Sequence, residues 1–380
     1  MNQATNNAQR TVIVGMSGGV DSSVTALLLQ RAGFAVEGLH MTNWEADDAY
    51  CSAAEDLQDA RRVCDSLDIP LHHVNFADDY RQRVFDYFLD EYRRGRTPNP
   101  DVLCNREIKF GVFADYARRL GADAIATGHY AQVMPGPTGN QLHKGTDSGK
   151  DQSYFLHAVS EQQLSNVLFP LGALDKQDVR RIATDAGLAT HKKKDSTGIC
   201  FIGERPFREF LSEYLPASPG EIIDADNNVI GTHSGLMYYT LGQRQGLGIG
   251  GMRNANEAPW FVARKNLANN TLQVVQDKQH HWLMHDVVHC DDFHWINGAP
   301  TSPVVGASLS AKVRYRQADQ PCRIQSHTNG QLTLQFDTPQ WAVAPGQYAV
   351  VYDGDRCLGG GAIDAIAHSD TAVSLTSAAG

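Results

Sequence analysis

Residues 15–22 read Gly-Met-Ser-Gly-Gly-Val-Asp-Ser and directly follow a short apolar run, Thr11-Val12-Ile13-Val14. A helix-patterned stretch from Ser23 to Gln30 comes next and is closed by Gly33. The segment therefore reads as a strand, a glycine-bearing turn and a helix start. Such a turn aims several backbone N–H groups at one spot, and the helix N-terminus adds partial positive charge there. Gly18 and Gly19 let the chain approach an anion with no Cβ in the way. Ser17, Ser22 and Ser23 offer hydroxyls, and Asp21 is placed to hold a cation or to orient the turn. The expected ligand is phosphate, and pyrophosphate above all.

Two better-known phosphate turns do not fit. No Lys lies in this turn, as a Gly-x-x-x-x-Gly-Lys-Ser/Thr loop requires. The Gly-x-Gly-x-x-Gly dinucleotide pattern is also absent. Ser-Gly-Gly-Val-Asp-Ser instead resembles the PP-loop of enzymes that cleave ATP to AMP and pyrophosphate.

The chain of 380 residues predicts two or three domains. The first ten residues are polar and lack the apolar core of a signal peptide, so Met1 to Arg10 is expected to be a frayed tail. No apolar stretch is long enough to span a bilayer, and no membrane partner is expected. Seven cysteines, an odd number without close pairs, argue against a disulfide framework and for a reducing cytoplasm. The formal net charge of −10 argues against a bulk electrostatic nucleic-acid binder. It leaves room for a selective RNA enzyme, because local basic patches exist. They are Arg93, Arg94 and Arg96; Lys192, Lys193 and Lys194; and Lys312, Arg314 and Arg316.

Residues 11–130 alternate strand and helix, which predicts a parallel sheet with helices on both faces. Strands are expected at Phe34 to Met41, Leu71 to Phe76 and Ala122 to Thr127, the last closed by Gly128-His129-Tyr130. Ser52 and Glu55 form a capping box for a helix with Ala60, Val63, Cys64 and Leu67 on one stripe. Ligands of such sheets lie beyond the carboxyl ends of the strands, which puts the phosphate turn and residues 127–130 together. From about 131 to 210 the pattern is helical with loops. Residues 213–280 read as a small β-rich domain, and 281–380 as a β-barrel with turn signals such as Asn329-Gly330. The PP-loop domain would then occupy 11–212 after the tail at 1–10.

Two cysteines stand apart. Cys104 lies in Thr97-Pro-Asn-Pro-Asp-Val-Leu-Cys-Asn-Arg106, where two prolines oppose regular helix and Asn105 is a good N-cap. Cys104 is thus expected just ahead of a helix N-terminus, near Arg106 and Lys109, a setting that favours thiolate. Asp101 is placed to orient a substrate or move a proton. Cys200 follows the basic run Lys192 to Lys194 and Gly198. Cys64, Cys290, Cys322 and Cys357 read as small core hydrophobes, and Cys51 is ambiguous. No Cys-x-x-Cys occurs, so zinc-ribbon and usual iron–sulfur spacings are missing and no metal ligand set is assigned. His72 and His73 at a strand start point to opposite faces, one expected buried and one exposed. Two loop thiols beside an ATP-cleaving turn fit one chemistry: ATP activates a carbonyl oxygen as an adenylate, and a cysteine-borne sulfur replaces it.

These residues resemble the tRNA-specific 2-thiouridylase family over nearly the whole chain. The resemblance rests on Gly15–Ser22, Asn99–Cys104, Gly128–Tyr130, Lys150–Phe155, Gly198–Gly203, the glycine-rich run at 242–251 and Pro339–Ala342. It implies a PP-loop domain, a small central β domain and a C-terminal β-barrel. It implies a tRNA with a wobble uridine as substrate, ATP as co-substrate with Mg²⁺, and a sulfur-relay or cysteine desulfurase protein as persulfide donor. Gly15, Met16, Ser17, Gly18, Gly19, Val20, Asp21, Ser22, Met41 and Gly128 would contact ATP. Asn99, Pro100 and Asp101 would face the target base, with Cys104 at the nucleophile position and Cys200 at the persulfide position. His129, Lys150, Asp151, Gln152, Arg314, Tyr315 and Gln340 would meet tRNA. Three other readings make different demands. An amide-forming PP-loop synthetase needs no paired loop thiols. A cluster-dependent tRNA thiolase needs clustered cysteines, and a non-catalytic RNA-binding or nucleotide-sensing protein leaves both thiols without work.

Overall fold

A computed structural model of the chain describes residues 7, 9–44, 53–194, 205–249, 258–299, 305 and 308–369. Cys51, Ser52 with its proposed cap and the whole 198–203 motif, Cys200 included, lie outside the described residues, as does most of the N-terminal tail.

The first sheet is wholly parallel, in the order β3-β2-β1-β4-β7. Its strands are β1 (Thr11–Gly15), β2 (Ala35–Thr42), β3 (Leu71–Asn75), β4 (Ala124–Ala126) and β7 (Val167–Leu168). β1 is central and buried on both faces, as its run of β-branched residues requires. Val12 and Val14 pack under α1 (Val20–Arg31) and against Val63 and Cys64 of α2 (Ala53–Leu67). Ile13 turns to the other face and joins Leu39, Phe85, Val102 and Ile108. The chain leaves β1 toward β2 on one side and returns to β4 on the other. The strand order therefore reverses between β1 and β4, where such sheets open a crevice for ligand.

The region 131–210 differs from expectation. β5 (Ala131–Gly136) and β6 (Gly139–Lys144) form an antiparallel hairpin there. β6 also pairs with the far C-terminal strand through His143 to Arg356 and Leu142 to Cys357. The hairpin thus extends the last sheet from within the first part of the chain.

The second sheet has the order β10-β11-β8-β9, from β8 (Gly220–Ile223), β9 (Val229–His233), β10 (Phe261–Asn266) and β11 (Thr271–Val275). The third contains β12 (Met284–Trp295), β13 (Ser308–Lys312), β14 (Gln320–Thr328), β15 (Gln331–Trp341), β16 (Tyr348–Asp353) and β17 (Arg356–Ala367). Pairing of β12 with both β15 and β17 closes these six strands into a barrel. Cys290 and Cys322 are buried inside that barrel, Cys357 of β17 in the core it shares with Leu142 of β6, and Cys64 against the parallel sheet. Burial pushes all four thiols up, Cys322 and Cys64 to about 12, so they are packing groups. His72 and His73 bond separately, to Glu37 Oε2 at 2.7 Å and Thr42 Oγ1 at 2.9 Å. Neither is buried: His72 is half-exposed and His73 exposed.

Candidate active site

The Gly15–Ser22 turn sits at the carboxyl end of β1. Gly18 takes φ +75, and a Cβ there would lie 2.3 Å from the Asp56 carbonyl oxygen, so both the turn and its packing demand glycine. Gly19 is the N-cap of α1 and no side chain caps the helix, which leaves its N-terminus facing the turn. Ser22 Oγ accepts the Ser17 N–H at 3.3 Å and donates to the Gly19 carbonyl at 3.1 Å. Met16 is buried; its N–H donates to the Leu39 carbonyl at 3.0 Å, and its own carbonyl lies 2.8 Å from His40 Nδ1. Met41 is half-buried near the end of the adjacent strand.

The segment after β4 closes on this turn. A Cβ on Gly128 would lie 2.9 Å from the Asp21 carbonyl carbon and 3.0 Å from the Ser22 nitrogen. Tyr130 donates its hydroxyl to Asp21 Oδ1 at 2.8 Å. Lys176, the first residue of the helix Lys176–Asp185, places Nζ 2.7 and 2.8 Å from the two Asp21 oxygens. Both Asp21 oxygens are therefore engaged within the protein. Among the described residues no three His, Cys, Asp or Glu side chains gather to hold a metal. The donor set does not fit an Mg²⁺ ligand role for Asp21 in this arrangement.

Cys104 is not ahead of a helix N-terminus. The helix starts earlier, at α3 (Pro100–Leu103), and continues without a break into a wide-turn segment, Cys104–Val112. Asn99 is the cap: its Oδ1 accepts the Asp101 N–H at 3.2 Å. Pro100 occupies the first helical position, where proline has no hydrogen bond to lose and its fixed φ suits the helix. Cys104 is buried, at 2% exposure. The wide turns need other partners for their carbonyls, and Gln163 Nε2 supplies them, reaching the Arg106 and Phe110 carbonyl oxygens at 3.0 Å each. Asp101 is half-buried, and burial pushes its carboxyl above the usual range, with Lys109 pulling against the shift.

The same segment reaches the 128–130 residues beside the Gly15–Ser22 turn through His129. That ring packs 5.9 Å from Phe110 and 5.8 Å from Phe169, and its Nδ1 lies 2.7 Å from Thr127 Oγ1. His129 is buried, and desolvation lowers its pKa well below 6.5, so it is neutral. On the other side, Asn105 Nδ2 donates to the Phe155 carbonyl at 3.1 Å, and the Phe155 ring lies 4.3 Å from Tyr315. The structure thus joins residues 15–22, 128–130, 99–110 and 315 in one contiguous region.

The remaining expected tRNA contacts have internal partners. Asp151 is buried and accepts from the Gly145 and Ser153 N–H groups, the Ser153 hydroxyl and, at 3.4 Å, Lys312 Nζ. Gln152 exchanges two hydrogen bonds with the Tyr130 backbone, at 2.9 and 3.0 Å. Gln340 is 4% exposed, bonded to Gln317 and to the Thr338 carbonyl at 2.7 Å each. Lys150 and Arg314 are partly exposed; Arg314 donates to the Trp341 carbonyl at 3.3 Å and lies over that indole ring. Lys193 is paired with Asp56 and Asp59.

Three family models cover most of the chain. They are described as a tRNA methyl transferase HUP domain at residues 10–204, a tRNA methyl transferase PRC-barrel domain at 208–276 and an aminomethyltransferase beta-barrel domain at 285–363. A curated protein of Dichelobacter nodosus, named tRNA-specific 2-thiouridylase MnmA, is 57% identical over 93% of this chain and 94% of its own. Proteins of the same name from Pseudomonas savastanoi and Hydrogenovibrio crunogenus are 56% and 54% identical, over 94% and 96% of this chain and 95% and 96% of theirs. The chain belongs to the tRNA-specific 2-thiouridylase family. It is an enzyme of a family of tRNA sulfurtransferases.

Within this 2-thiouridylase, sequence reasoning missed Lys176, whose partner Asp21 is 155 positions away. It also missed the Tyr130 hydroxyl, His40, and Thr190, which donates to Ser23 Oγ at 2.9 Å beneath the turn. Only Tyr130 left a signal, as part of the Gly128-His129-Tyr130 segment.

Proposed function

We propose that this enzyme thiolates the 2-carbonyl of the wobble uridine of tRNA at the expense of ATP. The observation that carries the reading is the uncapped α1 N-terminus behind Gly18 and Gly19, joined through Gly128–Tyr130 to the helix bearing Asp101 and Cys104. The turn binds the pyrophosphate end of ATP, with Gly15–Ser22, Met41 and Gly128 as its contacts. The uridine oxygen attacks the α-phosphorus, pyrophosphate leaves, and the base is adenylated. Asn99, Pro100 and Asp101 hold that base after it leaves its stack.

Sulfur arrives as a persulfide on Cys200, delivered by a relay or desulfurase protein. Its outer sulfur attacks the uridine C2 and AMP leaves with the oxygen. Cys104 then attacks the inner sulfur. The outer sulfur stays on the base as the thiocarbonyl, and a Cys104–Cys200 disulfide forms, which a thiol reductant must reopen. Asp101 carries the proton. Mg²⁺, when bound, neutralises phosphate charge; no step here depends on a protein ligand for it. Lys150, Arg314 and Tyr315 meet the RNA, and the compartment is the cytoplasm.

The test mixes wobble-uridine tRNA, ATP, Mg²⁺ and a persulfide donor, and measures thiolated nucleoside and AMP. Both should form, and Cys104→Ser and Cys200→Ser should each abolish the nucleoside. Thiolation that persists in the Cys200→Ser enzyme removes the persulfide role.

A further inference from the structure

The residues leading into Asn99 are held from outside their own sheet. Thr97 donates its N–H to the Pro345 carbonyl at 2.9 Å and accepts at its carbonyl from Gln347 Nε2 at 2.7 Å. Its hydroxyl donates to Thr240 Oγ1 at 3.3 Å. Every polar group of Thr97 is thus engaged, two by the loop between β15 and β16 and one by the central β-rich part. Its neighbours repeat the pattern. Arg96 pairs with Asp364 of β17, and the Gly95 carbonyl accepts Lys265 Nζ of β10 at 2.9 Å. Gly346 runs so close that a Cβ on it would lie 2.8 Å from the Thr97 nitrogen.

The path from Thr97 to the helix is stiff. Pro98 and Pro100 fix their own φ, and each forces the preceding residue, Thr97 or Asn99, out of the helical region. Asn99 indeed sits at φ −118, ψ 99. A displacement of Thr97 therefore has few soft torsions in which to dissipate before it reaches Asp101 and Cys104. The anchoring loop is itself tied to the RNA-facing side, because Arg314 bonds the Trp341 carbonyl at its start.

We propose that Thr97–Pro100 is a rigid strut through which the barrel and the central β-rich part set the position of Asp101 and Cys104. Thr97, Gln347 and Thr240 are its positioning residues. RNA seated on the two β-rich parts thereby reaches the sulfur-transfer helix through backbone rather than through the phosphate turn. The inference rests on the sulfur-transfer reading above.

The experiment compares full-length Gln347→Glu, Thr97→Val and Thr97→Ser with wild type. Gln347→Glu puts an acceptor against the Thr97 carbonyl at constant shape. Its kcat for tRNA thiolation should fall about tenfold, the scale of one strong hydrogen bond in a transition state. Thr97→Val should lose about threefold or more and Thr97→Ser should recover it. The Kd for ATP should stay within about twofold in all three, since no ATP contact changes. A kcat for Gln347→Glu within twofold of wild type overturns the strut, as does ATP affinity falling in step with kcat. A wild-type enzyme that makes no thiolated nucleoside overturns the underlying reading instead.

Discussion

Lys176 Nζ lies 2.7 and 2.8 Å from the two carboxylate oxygens of Asp21, and Tyr130 bonds the same carboxylate at 2.8 Å. The lysine is 8% exposed, whereas the Asp21 side chain keeps 31% of its surface. The pair lies between the surface and interior regimes, so Lys176→Met should cost about 2 kcal/mol in denaturant unfolding. It should also release the Asp21 end of α1 and weaken ATP binding. Wild-type stability together with wild-type ATP affinity would remove the role assigned to this pair.

Gly128 offers a sharper test of the crevice. A Cβ there meets the backbone of Asp21 and Ser22, not a yielding side chain. Gly128→Ala should displace the start of α1 and raise the Kd for ATP about tenfold or more, as an overpacking strain of about 1–3 kcal/mol would. Isothermal titration with ATP measures this directly.

Asp101 gives a pH signature. Burial raises its pKa, and Lys109 opposes the rise. If the carboxylate is the working form, activity falls as pH drops through that raised pKa. Removing the opposing charge with Lys109→Met lets the pKa climb further, so the acid limb of the kcat profile should move to higher pH. Asp101→Asn should lower kcat by about 10²-fold or more with ATP binding kept. An acid limb that stays in place in Lys109→Met would assign it to another group.

Buried neutral histidines govern acid stability. Desolvation lowers His157 to about 3 and His285 to about 4. The unfolded chain protonates these rings near pH 6.5 while the folded chain does not, so stability is full above that pH and declines as pH falls below it. Each ring contributes at most about 1.4 kcal/mol per pH unit in that window. Urea unfolding of His157→Gln between pH 7 and 5 should show a shallower decline than wild type.

The local parts of this fold were readable in the sequence, and the distant pairings were not. The strand, turn and helix around Gly15–Ser22 follow from adjacent residues, and the barrel strands from their alternation. The β5–β6 hairpin escaped because Pro135, Gly136, Pro137 and Gly139 read as loop punctuation. β5 is the last strand of its sheet, where proline is tolerated because one edge needs no partner. The helix before Cys104 differs from expectation for a related reason: proline opposes a helix interior, but Pro100 stands at the first helical position, where it is tolerated. Lys176 reads as one more polar residue on an amphipathic helix, because nothing near it in sequence announces Asp21. Nor did the sequence announce that Asp151 and Gln340, matched to RNA contact by resemblance, also have hydrogen-bond partners inside the protein.

The pairing of β6 with β17 has a bearing on how this protein can be dissected. A fragment that stops ahead of the barrel leaves the outer side of β6 as a bare strand edge and Leu142 without its Cys357 neighbour. Such a fragment invites self-association, so loss of activity on truncation would report clumping as readily as a missing RNA platform. Point substitutions in the intact polypeptide are the safer instrument.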